Sequence, residues 1–433
     1  MLKESPDDPG GVSRLVDHLF RQQAGQMVST LARVFGSEHL DLAEDVVQEA
    51  MLKAMRQWPF CGVPDNPAAW LVTVAKNRAL DLLRRKTVFR GKREAIEATL
   101  LEWHGETKGR GPDVGGTRFD RELRDDQLRM IFTCCHPDIP HQSRVALTLK
   151  TAGGFSVSEI ARAFLCNQGT IAQRLVRAKR RIREKGIAVT MPLPSELESR
   201  LDTVLSVLYL MFNEGHSPHE GSVVIRADLC HEAIRLASLL ADHPVTMRPK
   251  VHALTALFLF QAARLPARAD AHGGLLLLSE QDRSCWDRAL IARALHHFER
   301  SAFGDELTAF HLEAEIASCH TLAIDSARTD WPRITMLYDM LLKIRPDPIV
   351  ALNRAVALAE AKGAEEALAA LDELAGHSAL ASYYPYHAAC GEMLRRLGMG
   401  EAAADAFLKA QSLCSSEPVR VFLQRRAEEA RTR

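Results

Sequence analysis

The sequence lacks the features that mark membrane proteins, secreted proteins and the common enzyme classes. No run of 18 apolar residues occurs, so no membrane span is expected. The N-terminus, MLKESPDDPGG, has no apolar signal core. The P-loop, GxGxxG, HExxH and GxSxG motifs are missing, and the 17 histidines lack metal-ligand spacing. We therefore expect a cytoplasmic protein without a catalytic constellation, a metal or a cofactor.

The nine cysteines are odd in number and include no CxxC pair. This pattern argues against a disulfide framework. Most of the cysteines lie in apolar helical runs, so we expect reduced thiols buried in helices. Cys134, Cys135 and His136 have the residue types of a metal site, but adjacent cysteines are poorly spaced for zinc.

The formal net charge is zero, but the two parts of the chain differ in sign. Residues 1–189 hold 30 Lys and Arg against 23 Asp and Glu, whereas the remainder holds 25 against 32. A basic front part is typical of a protein that binds nucleic acid. A length of 433 residues predicts two or three domains.

The stretch 154–185, GFSVSEIARAFLCNQGTIAQRLVRAKRRIREK, predicts two helices joined by a short turn. Ser156 and Glu159 have the spacing of a capping box at the start of the first helix. The second helix opens near Thr170, and residues 171–185 hold seven bases against one acid. A solvated basic face is the alternative, but the charge skew favours a helix-turn-helix that binds DNA.

Side chains early on the second helix are expected to reach base edges in the major groove. These residues are Thr170, Gln173, Arg174 and Arg177. Later arginines, Arg180 and Arg181 among them, suit contacts to phosphates.

The same stretch resembles region 4 of the extracytoplasmic-function (ECF) sigma factors of bacterial RNA polymerase. The matching residues are Gly154, Ser156, Glu159, Ile160, Ala161, Cys166, Gly169, Thr170, Arg174, Leu175, Arg177 and Ala178. The resemblance implies that this helix-turn-helix reads the −35 promoter element.

A second predicted helix, from Leu42 to Trp58, carries Asp45, Gln48 and Glu49 on one face. A solvated acidic face is the alternative reading of this pattern. The DxxQE motif resembles sigma region 2.2, which implies docking on the clamp helices of the largest polymerase subunit.

Three prolines and a glycine in Pro59–Pro67, PFCGVPDNP, predict that this segment is not helical. In the ECF factors, a loop at this place holds a flipped base of the −10 element. The resemblance therefore implies −10 contacts from Phe60, Asp65 and Asn66.

The segment Ala68–Lys86 predicts one helix, and its WLxxxAxN pattern resembles sigma regions 2.3 and 2.4. Eight bases and one acid between Lys76 and Arg93 suit a melted DNA strand. The −10 candidates on this helix are Lys76, Asn77, Arg78, Asp81, Arg84 and Arg85.

The rest of the chain divides into a linker and a long helical region. Residues 91–118 are expected to form the linker: a weak helix covers 93–103, and the Gly-rich, charged composition after it predicts flexibility. Residues 196–430 show helical patterns throughout, and two segments near the end align at an offset of 36, as in tetratricopeptide (TPR) repeats. Polar residues within this region are either caps and buried pairs or ligand groups; they are Asn213, Glu214, Arg226, Asp282 and Arg283.

Together these patterns predict an all-α protein with two small sigma domains, 12–90 and 119–187, followed by a TPR-like solenoid at 196–430. The expected function is that of an alternative sigma factor that binds core polymerase and promoter DNA, with the solenoid modulating its activity. A protein or a small molecule is a possible partner of the solenoid. The alternative is a helix-turn-helix activator with a sensing domain that never joins polymerase, although such an activator would need neither the DxxQE helix nor the WLxxxAxN helix.

Overall fold

The fold is all-α, as the sequence predicts. The computed structural model describes residues 24–64, 66–85, 118–164, 166–216, 220–221, 225–270 and 274–432. Two-residue strands, β1 (Glu220–Gly221) and β2 (Ser415–Ser416), pair in parallel. The expectations for residues 12–23, Asp65, the helix at 93–103 and the linker up to residue 117 lie outside the described residues.

The helices form two compact units, and the boundary between them falls after Val207. The first unit contains a helical segment at 24–35, which we name α1, and a 3₁₀ turn at Ser37–His39. Its further helices are α2 (Leu40–Cys61), α3 (Pro67–Arg85), α4 (Arg118–Cys134), α5 (His141–Thr151), α6 (Val157–Ala163) and α7 (Gln168–Lys185).

Helix α2 corrects the prediction that no helix enters Pro59–Pro67. It continues through Pro59 and ends at Cys61, where Gly62 adopts a left-handed φ of 78°. Proline lacks the backbone N–H that would bond to the carbonyl four residues earlier, so α2 loses one hydrogen bond at Pro59 and ends two residues later. Helix α3 then begins at Pro67, where the fixed φ of proline suits a helix start.

The helix-turn-helix is formed by α6 and α7. The Ser156 amide donates to Glu159 Oε2 at 2.8 Å, and the Glu159 amide donates to Ser156 Oγ at 3.1 Å, which confirms the capping box. Asn167 caps α7, and Gly186 ends it in the left-handed conformation. The buried stripe of α7 is Ile171, Leu175, Ala178 and Ile182.

Helix α1 packs closely against the end of α5. A Cβ on Gly25 would lie 2.0 Å from the carbonyl oxygen of Ala152, so this contact requires glycine. The Gln127 side chain of α4 donates to the same carbonyl at 2.8 Å. The segments on both sides of the predicted linker therefore share one compact unit.

Helix α8 (Pro194–His216) belongs to both units, because their boundary lies inside it. Its first half buries Leu201 and Leu205, and the Arg200 guanidinium donates to the Phe132 carbonyl at 2.7 Å. A truncation near residue 195 would remove these contacts from the first unit.

The second unit is a succession of helices. They are α9 (Ala227–Asp242), α10 (Pro249–Ala262), α11 (Arg288–Ser301), α12 (Ala309–Leu322), α13 (Trp331–Ile344), α14 (Pro348–Ala361), α15 (Ala364–Asp372), α16 (Ser378–Ala381), α17 (Tyr384–Arg396), α18 (Gly400–Leu413) and α19 (Glu417–Arg431). Short 3₁₀ turns at Leu265–Ala267, Leu278–Glu280 and Arg283–Cys285 lie between α10 and α11.

The repeat near the end of the chain is visible in the helix positions. Both α17 and α18 begin 36 residues after α14 and α15, respectively. A Cβ on Gly391 would lie 3.0 Å from the Phe407 ring, so α17 and α18 are in close contact there. The structure thus has the helix-pair repetition of a solenoid.

Four cysteines are buried as predicted, but Cys61 and Cys285 are exposed. Cys61 ends α2, and Cys285 lies in a surface 3₁₀ turn. Among the described residues, no helix combines the length and the apolarity that crossing a membrane requires.

Candidate nucleic-acid interface

The early residues of α7 line an open groove on the first unit. Gln173 and Arg177 are exposed, and Arg174 is half-buried. The facing wall is the start of α5, from Pro140 to Ser143. A helix N-terminus attracts anions through its free amides and dipole, so this wall suits a DNA phosphate.

Thr170 is held in place by the cap of α7. Its amide and its hydroxyl donate to Asn167 Oδ1 at 2.7 and 3.1 Å. The cap therefore fixes the first turn of α7, which carries the Thr170 methyl group and the side-chain amide of Gln173.

The two predicted phosphate contacts already have partners within the protein. Arg180 Nε donates to Glu184 Oε1 at 2.6 Å, and this hydrogen bond raises the pKa of Arg180. Arg181 Nε donates to the Asp138 carbonyl at 3.2 Å. Arg180 remains on the surface, with 72% of its side chain exposed.

The acidic face of α2 is exposed at Asp45, Gln48 and Glu49. Glu49 accepts a hydrogen bond from Arg78 Nη2 of α3 at 2.9 Å, which raises the pKa of Arg78. Asp45 and Gln48 lie on the same side of the helix.

Two apolar side chains continue this face along α2. Leu52 and Met55 are 49% and 56% exposed, although both are large and apolar. They lie one and two turns beyond Gln48. An acidic stripe that ends in exposed apolar side chains suits a partner with basic and apolar groups.

Phe60 is an almost fully exposed −10 candidate. Its relative exposure is 88%, in the last turn of α2. Asn66 caps α3, because its Oδ1 accepts from the Ala69 amide at 3.0 Å. Asp65 lies outside the described residues.

The candidates on α3 differ in their exposure. Asn77 and Asp81 are exposed, whereas Lys76 is only 6% exposed and Arg78 is paired with Glu49. Burial lowers the pKa of Lys76. Arg84 and Arg85 end the helix, but their side chains lie outside the described part of the chain.

Lys179 makes a contact that the sequence patterns did not reveal. Its Nζ donates to Asp41 Oδ1 at 2.7 Å and makes an ion pair with Glu44 Oε1 at 3.0 Å. Burial favours a lower pKa for Lys179, but the two carboxylates outweigh it and raise the pKa. The basic face of α7 is thereby joined to the start of α2.

A second ion pair joins the same two parts of the first unit. Arg33 Nε, at the end of α1, lies 2.7 Å from Asp126 Oδ1 of α4. The Asp126 side chain is 1% exposed and also pairs with Arg129. These ion pairs hold the predicted region 2 and region 4 helices together.

Comparison with known proteins explains this arrangement of helices. Residues 19–88 match sigma-70 region 2, and residues 129–182 match sigma-70 region 4. Residues 200–302 match a family of unknown function, DUF6596.

Relatives of two kinds were found. An uncharacterised protein of Rhizobium meliloti (strain 1021) is 37% identical over 399 residues, 92% of each chain. The ECF RNA polymerase sigma-E factor of Escherichia coli (strain K12) is 31% identical over 147 residues, 33% of this chain and 72% of that one. A probable ECF sigma factor, SigI of Mycobacterium tuberculosis (strain ATCC 25618 / H37Rv), is 27% identical over 253 residues, 54% of this chain and 83% of that one.

The two small helical modules define a sigma factor of the sigma-70 class. This chain belongs to the ECF family of sigma factors and carries a long helical extension after region 4. The Rhizobium relative shares the extension, because the similarity covers 92% of both chains.

Proposed function

We propose that the protein joins core RNA polymerase, recognises −35 and −10 promoter elements and initiates transcription of a dedicated set of genes. The observation that carries the proposal is the open groove along α7, where Gln173, Arg174 and Arg177 face the N-terminus of α5. Side chains that can bond to base edges would then lie beside a helix N-terminus that can bind a phosphate, as binding in the major groove requires.

The −35 element is the proposed ligand of this groove. Arg and Gln side chains can make paired hydrogen bonds to guanine and adenine, respectively. Arg180 and Arg181 lie further along α7, where contacts to the DNA backbone are expected.

Core polymerase is the proposed partner of α2. The stripe of Asp45, Gln48 and Glu49, followed by exposed Leu52 and Met55, offers polar and apolar contacts on one helix face. We assign this face to the clamp helices of the largest polymerase subunit, as in the family that the chain belongs to.

The −10 element is the proposed ligand of the surface formed by the end of α2 and by α3. Phe60 offers an exposed aromatic ring for stacking on an unpaired base. Asn77 lies exposed on α3 as a polar contact. Buried Lys76 is unsuited to a direct phosphate contact.

In vitro transcription with purified core enzyme tests the proposal. Asp45→Lys places a base in the acidic stripe and disturbs no ion pair of the described residues. We expect it to abolish co-purification with core enzyme and promoter-dependent transcription. Asp405→Lys, a charge reversal at another exposed helical position, on α18, is the matched control and should behave as the parent.

The contrary result is a folded Asp45→Lys variant that co-purifies and transcribes like the parent. A protein that binds promoter DNA but supports no transcription with core enzyme alone would instead be a helix-turn-helix activator. Either outcome would reject the initiation function proposed above.

We further propose that the helical extension modulates sigma activity, and that its removal lowers promoter activity. The boundary within α8 supports this direction, because Met211 and Phe212 are buried among residues of the second unit. Truncation would expose such apolar surface. The test compares the full chain with a fragment ending after His216, checked for folding by circular dichroism. Equal transcription and equal promoter choice would contradict a modulating role.

A further inference from the structure

We propose that Arg264, Arg283 and Trp286 in the second unit form a binding site for a small ligand carrying a phosphate or carboxylate group. Arg264 follows α10, and Arg283 and Trp286 lie in and just after the last 3₁₀ turn before α11. This site is independent of the polymerase and promoter contacts proposed above. All three residues lie within the segment that matches the family of unknown function.

Arg264 is a buried guanidinium with an unused donor. The residue is only 8% exposed, and its Nε is buried without a hydrogen-bond partner. Its Nη1 lies 3.4 Å from Gln261 Oε1, which is longer than a strong hydrogen bond. Its Cζ is 5.7 Å from the centre of the Trp286 ring.

Arg283 approaches the same indole and is fixed by the end of α12. Its Nη1 donates to the carbonyls of His320 and Ala323 at 2.8 and 2.6 Å, and its Cζ is 4.5 Å from the Trp286 ring centre. Its Nη2 and the Nε1 of Trp286 are buried without partners. Two guanidinium groups with unused N–H donors therefore lie beside one indole ring, which is 3% exposed and carries a third unused donor, its own Nε1.

The charge of this cluster is not balanced by the described residues. Burial and the guanidinium groups of Arg268 and Arg283 lower the pKa of Arg264 to about 10, so it stays charged at neutral pH. In the part of the chain that the structure describes, no carboxylate forms an ion pair with Arg264 or Arg283. Asp325 acts on Arg283 only from beyond ion-pair distance.

The neighbouring histidine responds to the same positive charge. Burial and the charges of Arg264 and Arg283 lower the pKa of His320 to about 4, so its imidazole is neutral at pH 7. Its Nδ1 is also buried without a partner. An oxyanion at this place would neutralise the guanidinium groups and accept their unused hydrogen bonds.

The chemistry of the donors defines the class of ligand. A guanidinium group presents a planar fork of N–H donors that matches carboxylate and phosphate oxygens. Uncompensated buried charge is strongly unfavourable, which an anionic ligand relieves. A purely structural role, as cations stacked on the indole, is the competing explanation.

Thermal unfolding of the full chain separates the two explanations. Sodium phosphate and sodium malonate are titrated against sodium chloride at matched ionic strength, which distinguishes phosphate from carboxylate recognition. For the parent protein we expect a saturable rise of roughly 2–4 °C in Tm with at least one of the two anions. Isothermal titration calorimetry with the same anions measures binding directly.

Two variants and a matched control locate the binding site. Arg264→Met and Arg283→Gln should lose the anion-dependent rise, whereas Arg293→Gln, an exposed residue of α11, should keep it. In chloride alone, Arg264→Met should melt at or above the parent, because a buried uncompensated charge has been removed.

The proposal is overturned if neither anion binds the parent protein. It is also overturned if both variants keep the full anion-dependent rise. A structural cluster would instead make Arg264→Met melt lower than the parent in every buffer, with no dependence on the anion.

Discussion

The ion pair between α7 and α2 predicts that the free protein must open before it can bind a promoter. The −35 and −10 elements lie about 25 base pairs apart, which is roughly 85 Å along B-DNA. In the structure, Lys179 of α7 contacts Asp41 and Glu44 of α2 directly. Under the function proposed above, contact with both elements requires that this packing be released, so weakening it should favour the open form.

The free energy that this contact contributes to the packed arrangement follows from the exposure of Lys179, Glu44 and Asp41. Lys179 and Glu44 are 12% and 15% exposed, and a hydrogen-bonded pair of such charges contributes about 1.5–3 kcal/mol. Asp41 is 65% exposed and adds less than about 1 kcal/mol. Lys179→Ala should therefore weaken the packed arrangement by about 2–3 kcal/mol, a shift of roughly 30- to 150-fold in its equilibrium with the open form.

Energy transfer between two dyes measures this equilibrium. Exposed Cys61 at the end of α2 carries one dye, and Lys185→Cys at the end of α7 carries the other, in a Cys285→Ser background. Lys179→Ala should reduce transfer efficiency in the free protein. Arg293→Ala removes an exposed charge from α11 of the second unit and is the control.

Promoter binding by the free protein provides a second readout. If only the open form is competent, its larger population raises apparent affinity in proportion. The reasoning is refuted if Lys179→Ala shows the same transfer efficiency as the parent and the control. Lys179→Arg, which keeps the charge, should restore most of the packed population.

Three further predictions concern individual residues. Arg174→Ala should weaken promoter binding by about 1–3 kcal/mol and relax the base preference at one −35 position. Arg183→Ala should weaken binding to all DNA sequences alike and make binding less dependent on salt. Identical effects of the two variants would contradict the separation of base contacts from phosphate contacts. Ser156→Ala should destabilise the first unit by about 1 kcal/mol in urea unfolding, with Ser156→Thr as the control that keeps the cap; equal stability of both would contradict a contribution from the cap. Burial lowers the pKa of His297, which contacts His252 at 2.9 Å, to about 4. As the pH falls from 7 to 5, His297 is protonated in the unfolded chain but stays neutral in the folded protein, so the free energy of unfolding should fall by about 2 kcal/mol. A His297→Gln variant with the same pH dependence would refute this assignment.

The sequence predicted those structural elements that depend on residues close together in the chain. Ser156 and Glu159 are three residues apart, so the sequence shows both halves of their mutual cap. The offset of 36 likewise anticipated the repeated helix pairs. Pro59 was misleading, because α2 tolerates the lost hydrogen bond and continues for two more residues before Gly62 ends it.

Contacts between distant segments could not be predicted in the same way. Lys179 and Asp41 are 138 residues apart, and no periodicity relates them. The sequence singled out Arg283 as a possible cap or ligand group, but not Arg264 or Trp286. Turns bring Arg264, Arg283 and Trp286 together, and residues in turns show no periodic sequence pattern from which this could be predicted.

The position of Phe60 affects how the protein would hold a DNA base. Its ring is almost fully exposed, yet its backbone belongs to the last turn of α2. Ordering a loop residue costs about 1–2 kcal/mol of backbone entropy, and a helical residue has already lost that freedom. A base that stacks on Phe60 therefore meets a ring on a preorganised support, and the continuation of the helix through Pro59 provides that support.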